Sequence, residues 1–385
     1  MAEIGVGIVG YGFIGRIHAL AYLSVPWTYP GAPRVRLVGV STATEESADR
    51  VRREGGFELV TTDYQELLER DDVQVVSCCA PNDAHREIVL AALAAGKHVY
   101  CDKPLALNLA QAEEVAGAAA GTTSVCQMTF QYRFVPAIRR ARQMIAEGFL
   151  GRPLQFRAAY LHSGYVDPQR PHSWRLDRKR SGGGAVMDLG VHAVDLVRAL
   201  WGEFRSVACL QRTFIPWRPR PDGAGLSHVD VDDVSLAQAE LANGAVGTLE
   251  FSRLATGSED ELRIELYGDR GALRFNLMEP DWLYAYDGRP PDQPLGGERG
   301  WQQVAVLGRY PEKGALPGAK CTQGWMRFHV ASAYDFLNNV AREEMSWYSP
   351  GFNEGQEAQR VVEALQRSAT NNGAWVSVGE VRGQG

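Results

Sequence analysis

An apolar strand running directly into Gly10-x-Gly12-x-x-Gly15 constrains this chain more than any other feature. Residues 6–18 read Val-Gly-Ile-Val-Gly-Tyr-Gly-Phe-Ile-Gly-Arg-Ile-His. Gly10 allows a tight turn, Gly12 lets backbone approach a pyrophosphate, and Gly15 lets the next helix pack close to the strand with its N-terminus facing the phosphates. Glycines alone are a weak signal. A preceding strand and a following helix-capable run, Arg16–Leu23, make this a predicted dinucleotide-binding unit rather than a glycine turn in some other α/β protein.

The first third of the chain repeats the strand-helix alternation. Strands are predicted at Val6–Val9, Arg36–Val40, Val73–Cys79, His98–Cys101 and Ser124–Phe130, with helices at Ser47–Glu54, Ala84–Ala95 and Ala110–Ala119 between them. This spacing predicts an α/β domain over residues 1–130, a Rossmann-type doubly wound parallel sheet. The pattern then changes. After a helix at Pro136–Glu147, with proline in its first turn, come alternating strand-like runs at Leu154–His162, Val207–Phe214, Val234–Glu240, Val246–Ser252, Leu262–Tyr267, Ala272–Phe275 and Trp282–Tyr286. One helix, Asp188–Trp201, interrupts them. Residues 287–320 read as an irregular Gly/Pro-rich excursion, and helices at His329–Arg342 and Glu354–Thr370 close the segment. The expectation for residues 131–385 is an α+β domain with a large, open, mostly antiparallel sheet. An uncovered apolar sheet face predicts a homodimer or homotetramer.

Composition narrows the function classes. The 385 residues carry a net charge of −6, which gives no bias toward nucleic acid or an anionic membrane. No run approaches the roughly 18 apolar residues of a membrane span. The first apolar segment has no basic flank and reads as strand, not signal peptide, so a cytoplasmic protein is expected. Six scattered cysteines form no CxxC and no Cys/His ligand spacing, so no metal is expected.

Three clusters carry chemistry. Pro81-Asn82-Asp83-Ala84-His85 follows the third predicted strand, where open parallel sheets bind ligands; this places Asn82 and His85 near a dinucleotide, or else Asn82 is an N-cap and His85 solvated. Cys101-Asp102-Lys103-Pro104 follows the next strand. Lys103 there is either a proton-transfer residue at the crevice or an ordinary solvated lysine. The third cluster is Ser181-Gly182-Gly183-Gly184 leading into Asp188, His192 and Asp195 at i, i+4 and i+7, one helix stripe. The glycines permit close approach of a ligand, and a carboxylate one turn from an imidazole orients it. The alternative is an Asp N-cap before a satisfied core histidine.

These clusters, with Ala95-Gly96-Lys97-His98-Val99, Gln131-Tyr132-Arg133-Phe134-x-Pro136 and Trp375-Val376-x-Val378, resemble along almost the whole chain the Gfo/Idh/MocA oxidoreductases, which include glucose-fructose oxidoreductase and inositol dehydrogenase. Asp102 stands where the family usually has Glu. The resemblance implies catalytic roles for Lys103, Asp188 and His192: Lys103 and His192 manage a hydroxyl proton while a hydride passes to nicotinamide. It implies cofactor contacts from Gly10, Gly12, Phe13, Ile14, Gly15, Ser41, Thr42, Pro81, Asn82, His85, Asp102, Lys103, Gln131 and Arg175. Substrate contacts are implied for Lys103, Arg133, Tyr165, Trp174, Asp188 and His192.

The cofactor is NAD(H) or NADP(H). Ser41-Thr42 leaves room for a 2′-phosphate and Arg16 is a candidate partner, but Glu45 and Glu46 stand where an arginine would help. The expected activity is an NAD(P)-dependent dehydrogenase or reductase acting on a secondary alcohol of a sugar, glycoside or cyclitol. The alternatives are a redox-neutral enzyme that cleaves or eliminates through a transient keto-sugar, and a dinucleotide sensor. Tyr160, His162, Tyr165, His172 and Trp174 suit an uncharged polyol; Arg170 and Arg175 keep an acidic or phosphorylated sugar as the rival.

Overall fold

Short apolar runs without alternation become strands buried on both faces, and the first part of the chain is built from them. The computed structural model describes residues 3–289, 299–307, 314–318, 320–322 and 324–383. In chain order these hold β1 (Glu3–Val9), α1 (Phe13–Thr28), β2 (Arg34–Ser41), α2 (Glu45–Glu54), β3 (Leu59–Thr61), α3 (Gln65–Leu68), β4 (Val75–Cys78), α4 (Asn82–Ala94), β5 (His98–Cys101), α5 (Leu109–Ala120) and β6 (Cys126–Met128). There follow α6 (Pro136–Ala146), β7 (Pro153–Leu161), α7 (Arg178–Ser181), α8 (Val191–Leu200), β8 (Phe204–Arg212), β9 (Trp217–Pro219), β10 (Leu226–His228), β11 (Val234–Leu241), β12 (Val246–Ser252), β13 (Glu261–Gly268), β14 (Gly271–Asn276), β15 (Trp282–Asp287), β16 (Trp301–Ala305), α9 (Trp325–Arg342), α10 (Phe352–Thr370) and β17 (Val376–Ser377).

The chain divides into two units. The first comprises Met1–Phe134, Gly308–Glu357 and Gly383–Gly385. Its six described strands are all parallel, in the order β3-β2-β1-β4-β5-β6. The order reverses between β1 and β4, the position at which such sheets bind nucleotides. Helix starts follow local chemistry: Thr44 caps α2 by accepting from Ser47 N (3.3 Å), and Asn108 caps α5 by accepting from Gln111 N (3.0 Å). Strand β3 was not anticipated, because three residues are too few to show a period.

Assignment of everything after residue 130 to a second domain needs correction. Helix α9 belongs to the first unit, where Val330, Ala333, Phe336, Leu337 and Val340 share a core with Tyr22, Val25 and Tyr29 of the α1 segment. Tyr29 and Tyr334 stack at 3.9 Å. The helix also begins at Trp325, four residues before the predicted start.

The second unit comprises Val135–Leu307 and Ala358–Arg382. Its sheet runs β16-β15-β14-β13-β7-β12-β11-β8-β17 and is antiparallel throughout, save for the parallel pair β7–β12. Period-2 alternation decides its faces: Leu262, Ile264 and Leu266 are buried while Arg263 points outward. A small ribbon, β9–β10, stands apart. Strand β16 lies within the stretch read as irregular; residues 290–298, 308–313 and 319 of that stretch lie outside the described residues. The single helix predicted over Asp188–Trp201 is two pieces, a π-helical turn at Val186–Gly190 and then α8. Among the described residues no helix is long and apolar enough to cross a membrane.

Candidate active site

In the first unit the glycine turn shows why each glycine is needed. Gly10 has φ +90°, and a Cβ there would lie 2.6 Å from Cys79 O. A Cβ on Gly15 would lie 2.1 Å from Gly10 O, so strand and helix touch backbone to backbone. Gly12 differs: among the described residues nothing stands within 4 Å of its Cβ direction, and the space it faces is the cradle. Gly12 precedes α1 with no side-chain cap, and the first turn, with Phe13 and Ile14, has no acidic residue. The first N–H groups of α1 are thus left for an anion, which fits a dinucleotide pyrophosphate. Phe13 is 67 % exposed beside this turn and packs its ring 5.9 Å from Trp325.

The end of β2 is less open than its composition implied. Ser41 and Thr42 are buried; Ser41 O accepts from Gly10 N (2.9 Å), and the Thr42 hydroxyl donates to Thr44 O (3.1 Å). Arg16 is held by Glu54 at 2.6 Å, so its role as a 2′-phosphate partner gains no support.

Past β4, Pro81 is the N-cap and Asn82 opens α4, which corrects the reading of Asn82 as the cap. His85 is neither solvated nor turned toward an open crevice. It is completely buried, with Nδ1 2.9 Å from Pro104 O and Nε2 2.8 Å from Ala80 O. Asp102 and Lys103 are half-buried where β5 ends, and Asp102 N donates to Cys78 O (2.9 Å). Gln131 is buried and Arg133 half-buried in the 3-10 turn after β6, with the Arg133 guanidinium 6.0 Å from the Phe130 ring. Cys78, His85 and Cys101 bring their ligand-type atoms within 4.8 Å of one another, a Cys/His grouping that spacing did not reveal. Carbonyls already occupy both His85 nitrogens, so the trio is not a ready-made metal site.

In the second unit the glycine run is required by packing. Gly182 ends α7 in the left-handed region (φ +78°), and a Cβ on Gly184 would lie 1.8 Å from Asp232 O. Asp232 is the reason: its carboxylate accepts from Gly184 N (2.8 Å), Val186 N (2.9 Å) and the Ser235 hydroxyl (2.8 Å). It caps the helix that carries Asp188 and His192, so Asp188 is no N-cap. Asp188 lies in the π turn, and its Oδ2 is 3.0 Å from Nη2 of Arg253. Arg253 is buried; burial alone would push its pKa down, and the Asp188 carboxylate holds it above its ordinary value.

Neither Arg253 nor Asp232 was found from sequence. Arg253 closes the strand β12 region as a lone cation, and its partner lies 65 residues upstream. His192 is buried one turn beyond Asp188, its ring 5.9 Å from Tyr160, whose hydroxyl donates to Asp260 (2.6 Å). Burial lowers the pKa of His162. Tyr165 is buried under three guanidiniums, those of Arg170 (4.2 Å), Arg253 (4.9 Å) and Arg218 (5.7 Å). Arg170 donates to Gly164 O (2.7 Å), and Arg175 stacks over Trp174 at 4.5 Å. These arginines are engaged within the protein.

Comparison with known proteins matches residues 4–130 to the oxidoreductase family with an NAD-binding Rossmann fold, and residues 138–274 to the GFO/IDH/MocA C-terminal domain. Levoglucosan dehydrogenase of Pseudarthrobacter phenanthrenivorans is 34% identical over 99% of this chain and 100% of that protein. A solved levoglucosan dehydrogenase in complex with NADH and L-sorbose superposes with a TM-score of 0.92 at 32% identity, covering 99% of this chain and 100% of that one. An oxidoreductase domain protein from Kribbella flavida gives 0.90 at 34% identity, covering 98% and 100%. A glycine cradle at the switch point of a parallel sheet, an Asp–His helix on an open mixed sheet and these matches place the chain in the Gfo/Idh/MocA family of oxidoreductases.

Proposed function

We propose that this protein is an NAD-dependent dehydrogenase that oxidises a secondary hydroxyl of an uncharged sugar, with levoglucosan, an anhydro-hexose, as the first substrate to test. Full-length likeness to a levoglucosan dehydrogenase carries the reading. The internal engagement of Arg170, Arg175 and Arg218 supports a neutral substrate over a phosphorylated one. Arg16 on Glu54, the Thr42 hydroxyl on Thr44 O and acidic Glu45 and Glu46 at the start of α2 support NAD over NADP.

Bound nicotinamide supplies the hydride acceptor. The chain supplies the rest. N–H groups at the start of α1, beside Gly12, would hold the pyrophosphate. Lys103 takes the hydroxyl proton. Asp188, its carboxylate fixed by Arg253, orients His192 or the substrate, and His192 assists the proton transfer. Half-buried Trp174, with Arg175 on one face, offers the other to sugar C–H surfaces, while Tyr165 backs the site beneath its guanidiniums. Following NADH absorbance with levoglucosan, inositols and hexoses, against their phosphates, tests the reading. Lys103→Ala is expected to lower turnover by about 10²–10⁴-fold while NADH binding persists. Normal turnover in that variant, or a preference for the phosphates, refutes it.

The proposal extends to assembly as a homodimer or homotetramer. Leu210 and Leu236 sit directly opposite each other on β8 and β11, and both are exposed. Exposed Trp282 and Trp301 add apolar surface on β15 and β16. Burial of such faces between copies is the ordinary remedy. A monomer in light scattering at micromolar concentration sinks this part.

A further inference from the structure

The buried environment of His85 is unusual for a histidine because both ring nitrogens meet the same kind of partner. Nδ1 lies 2.9 Å from Pro104 O and Nε2 lies 2.8 Å from Ala80 O. A carbonyl oxygen only accepts. Any neutral tautomer therefore aims one bare nitrogen lone pair at a carbonyl lone pair, at separations of 2.9 and 2.8 Å that leave no room for a water between them. Doubly protonated, the ring donates at both ends, and both bonds become charge-assisted.

A buried cation needs a counter-charge, and the surrounding elements provide candidates. Cys78 ends β4 and Cys101 ends β5, paired in register, and both are fully buried. Their sulfurs and the nearest His85 nitrogen lie within 4.8 Å of one another. Cys101 Sγ is 3.7 Å from Nδ1 and donates to Asp102 O (3.3 Å), and it also lies within hydrogen-bonding reach of Cys78. Asp102 is the other acidic group facing the ring. Titration tendencies agree. The Cys101 contact outweighs burial and brings Cys78 down, while Cys101 goes up through burial. Burial on its own would lower His85, but Cys78, Asp102 and the two carbonyls raise it.

We propose that His85 is a positioning residue held as an imidazolium, which ties Ala80 O at the end of β4 to Pro104 O and so fixes the backbone from which Lys103 projects, with Cys78 as its thiolate counter-ion. The catalytic consequence rests on the reading of Lys103 above; the charge state does not.

The test uses the full-length protein labelled with ¹⁵N in its histidine rings, with His85 assigned by His85→Gln. Both His85 nitrogens are expected to carry a proton at pH 7.5. Cys78→Ser removes the counter-charge, and the loss of the second His85 proton is expected to move down by about one pH unit or more, the scale set by a neighbouring opposite charge. The alkaline limb of kcat is expected to follow by the same amount, whereas a purely structural contact would lower kcat without moving the limb. A bare His85 nitrogen at pH 7.5, or a titration that Cys78→Ser leaves in place, overturns the imidazolium. A ring titration that moves while the kcat limb stays put overturns the positioning role. Failure to turn over any sugar counts against the proposed function, and the ring titration still decides the charge state.

Discussion

Acidification is expected to destabilise the first unit in large part through His18. His18 of α1 is 1 % exposed, with Nδ1 2.8 Å from the Ser77 hydroxyl and 3.1 Å from Cys79 Sγ, while its Nε2 has no hydrogen-bond partner among the described residues. Burial lowers its pKa from 6.5 to about 3. A pKa depressed on folding contributes stability that is complete above 6.5 and is lost as the pH falls toward 3. Between pH 7 and pH 5 the loss is 1.36 kcal/mol per unit below 6.5, or about 2 kcal/mol.

With a urea slope of roughly 2 kcal/mol/M, that is a midpoint shift of about 1 M. His18→Gln keeps a polar side chain near Ser77 and removes the titration, so its own shift over this pH range is expected to be smaller by about that amount. Tryptophan fluorescence reports on the right region, because Trp325 packs 4.3 Å from His329, which in turn lies 6.3 Å from His18. His329 is itself buried with its pKa lowered and contributes in both proteins. Equal pH-dependent losses in the two proteins would refute the argument, because the cost of charging His18 would then be absent.

Arg253→Met is expected to lower kcat at least tenfold with NADH affinity retained, because Asp188 loses the cation 3.0 Å from its carboxylate; Arg253→Lys restores part of the activity in steady-state assays. Gly184→Ala is expected to cost about 1–3 kcal/mol or more in thermal unfolding, since its Cβ would meet Asp232 backbone rather than a movable side chain. Thr42→Asp is expected to leave NAD binding in place and weaken NADP further, measured by titrating each cofactor, because the added carboxylate repels a 2′-phosphate; stronger NADP binding refutes the placement of the ribose at the end of β2.

Much of this protein was legible before the structure because its signals are local. The Gly10–Gly15 turn, the apolar run over Val73–Cys79 and the period-2 alternation of Leu262–Tyr267 each carry their meaning within a few residues. What was missed depends on partners far away in sequence. The π turn at Val186–Gly190 follows from Asp232, more than 40 residues later, gripping the N–H groups of Gly184 and Val186. Arg253 reads as an ordinary strand-end cation until Asp188 is placed beside it. The apolar stripe of α9 is plain in sequence, yet periodicity says only that it is covered, not by which sheet. His85 stands in α4 just past β4, and its orientation follows from Pro104 O, 19 residues on, which no motif encodes.

The membership of α9 in the first unit has a consequence for synthesis. Translation delivers β1 to β6 early, but the cover for Tyr22, Val25 and Tyr29 arrives only with residues 325–342, after every strand of the second unit's large sheet except β17 has been made. Until then the nascent parallel sheet carries an open apolar flank on α1, a surface for chaperones or for unwanted association. A fragment cut at Phe134 keeps every glycine of the cradle and still lacks one wall of its core. It is expected to be recovered in soluble form only when a peptide spanning 325–342 is co-expressed with it.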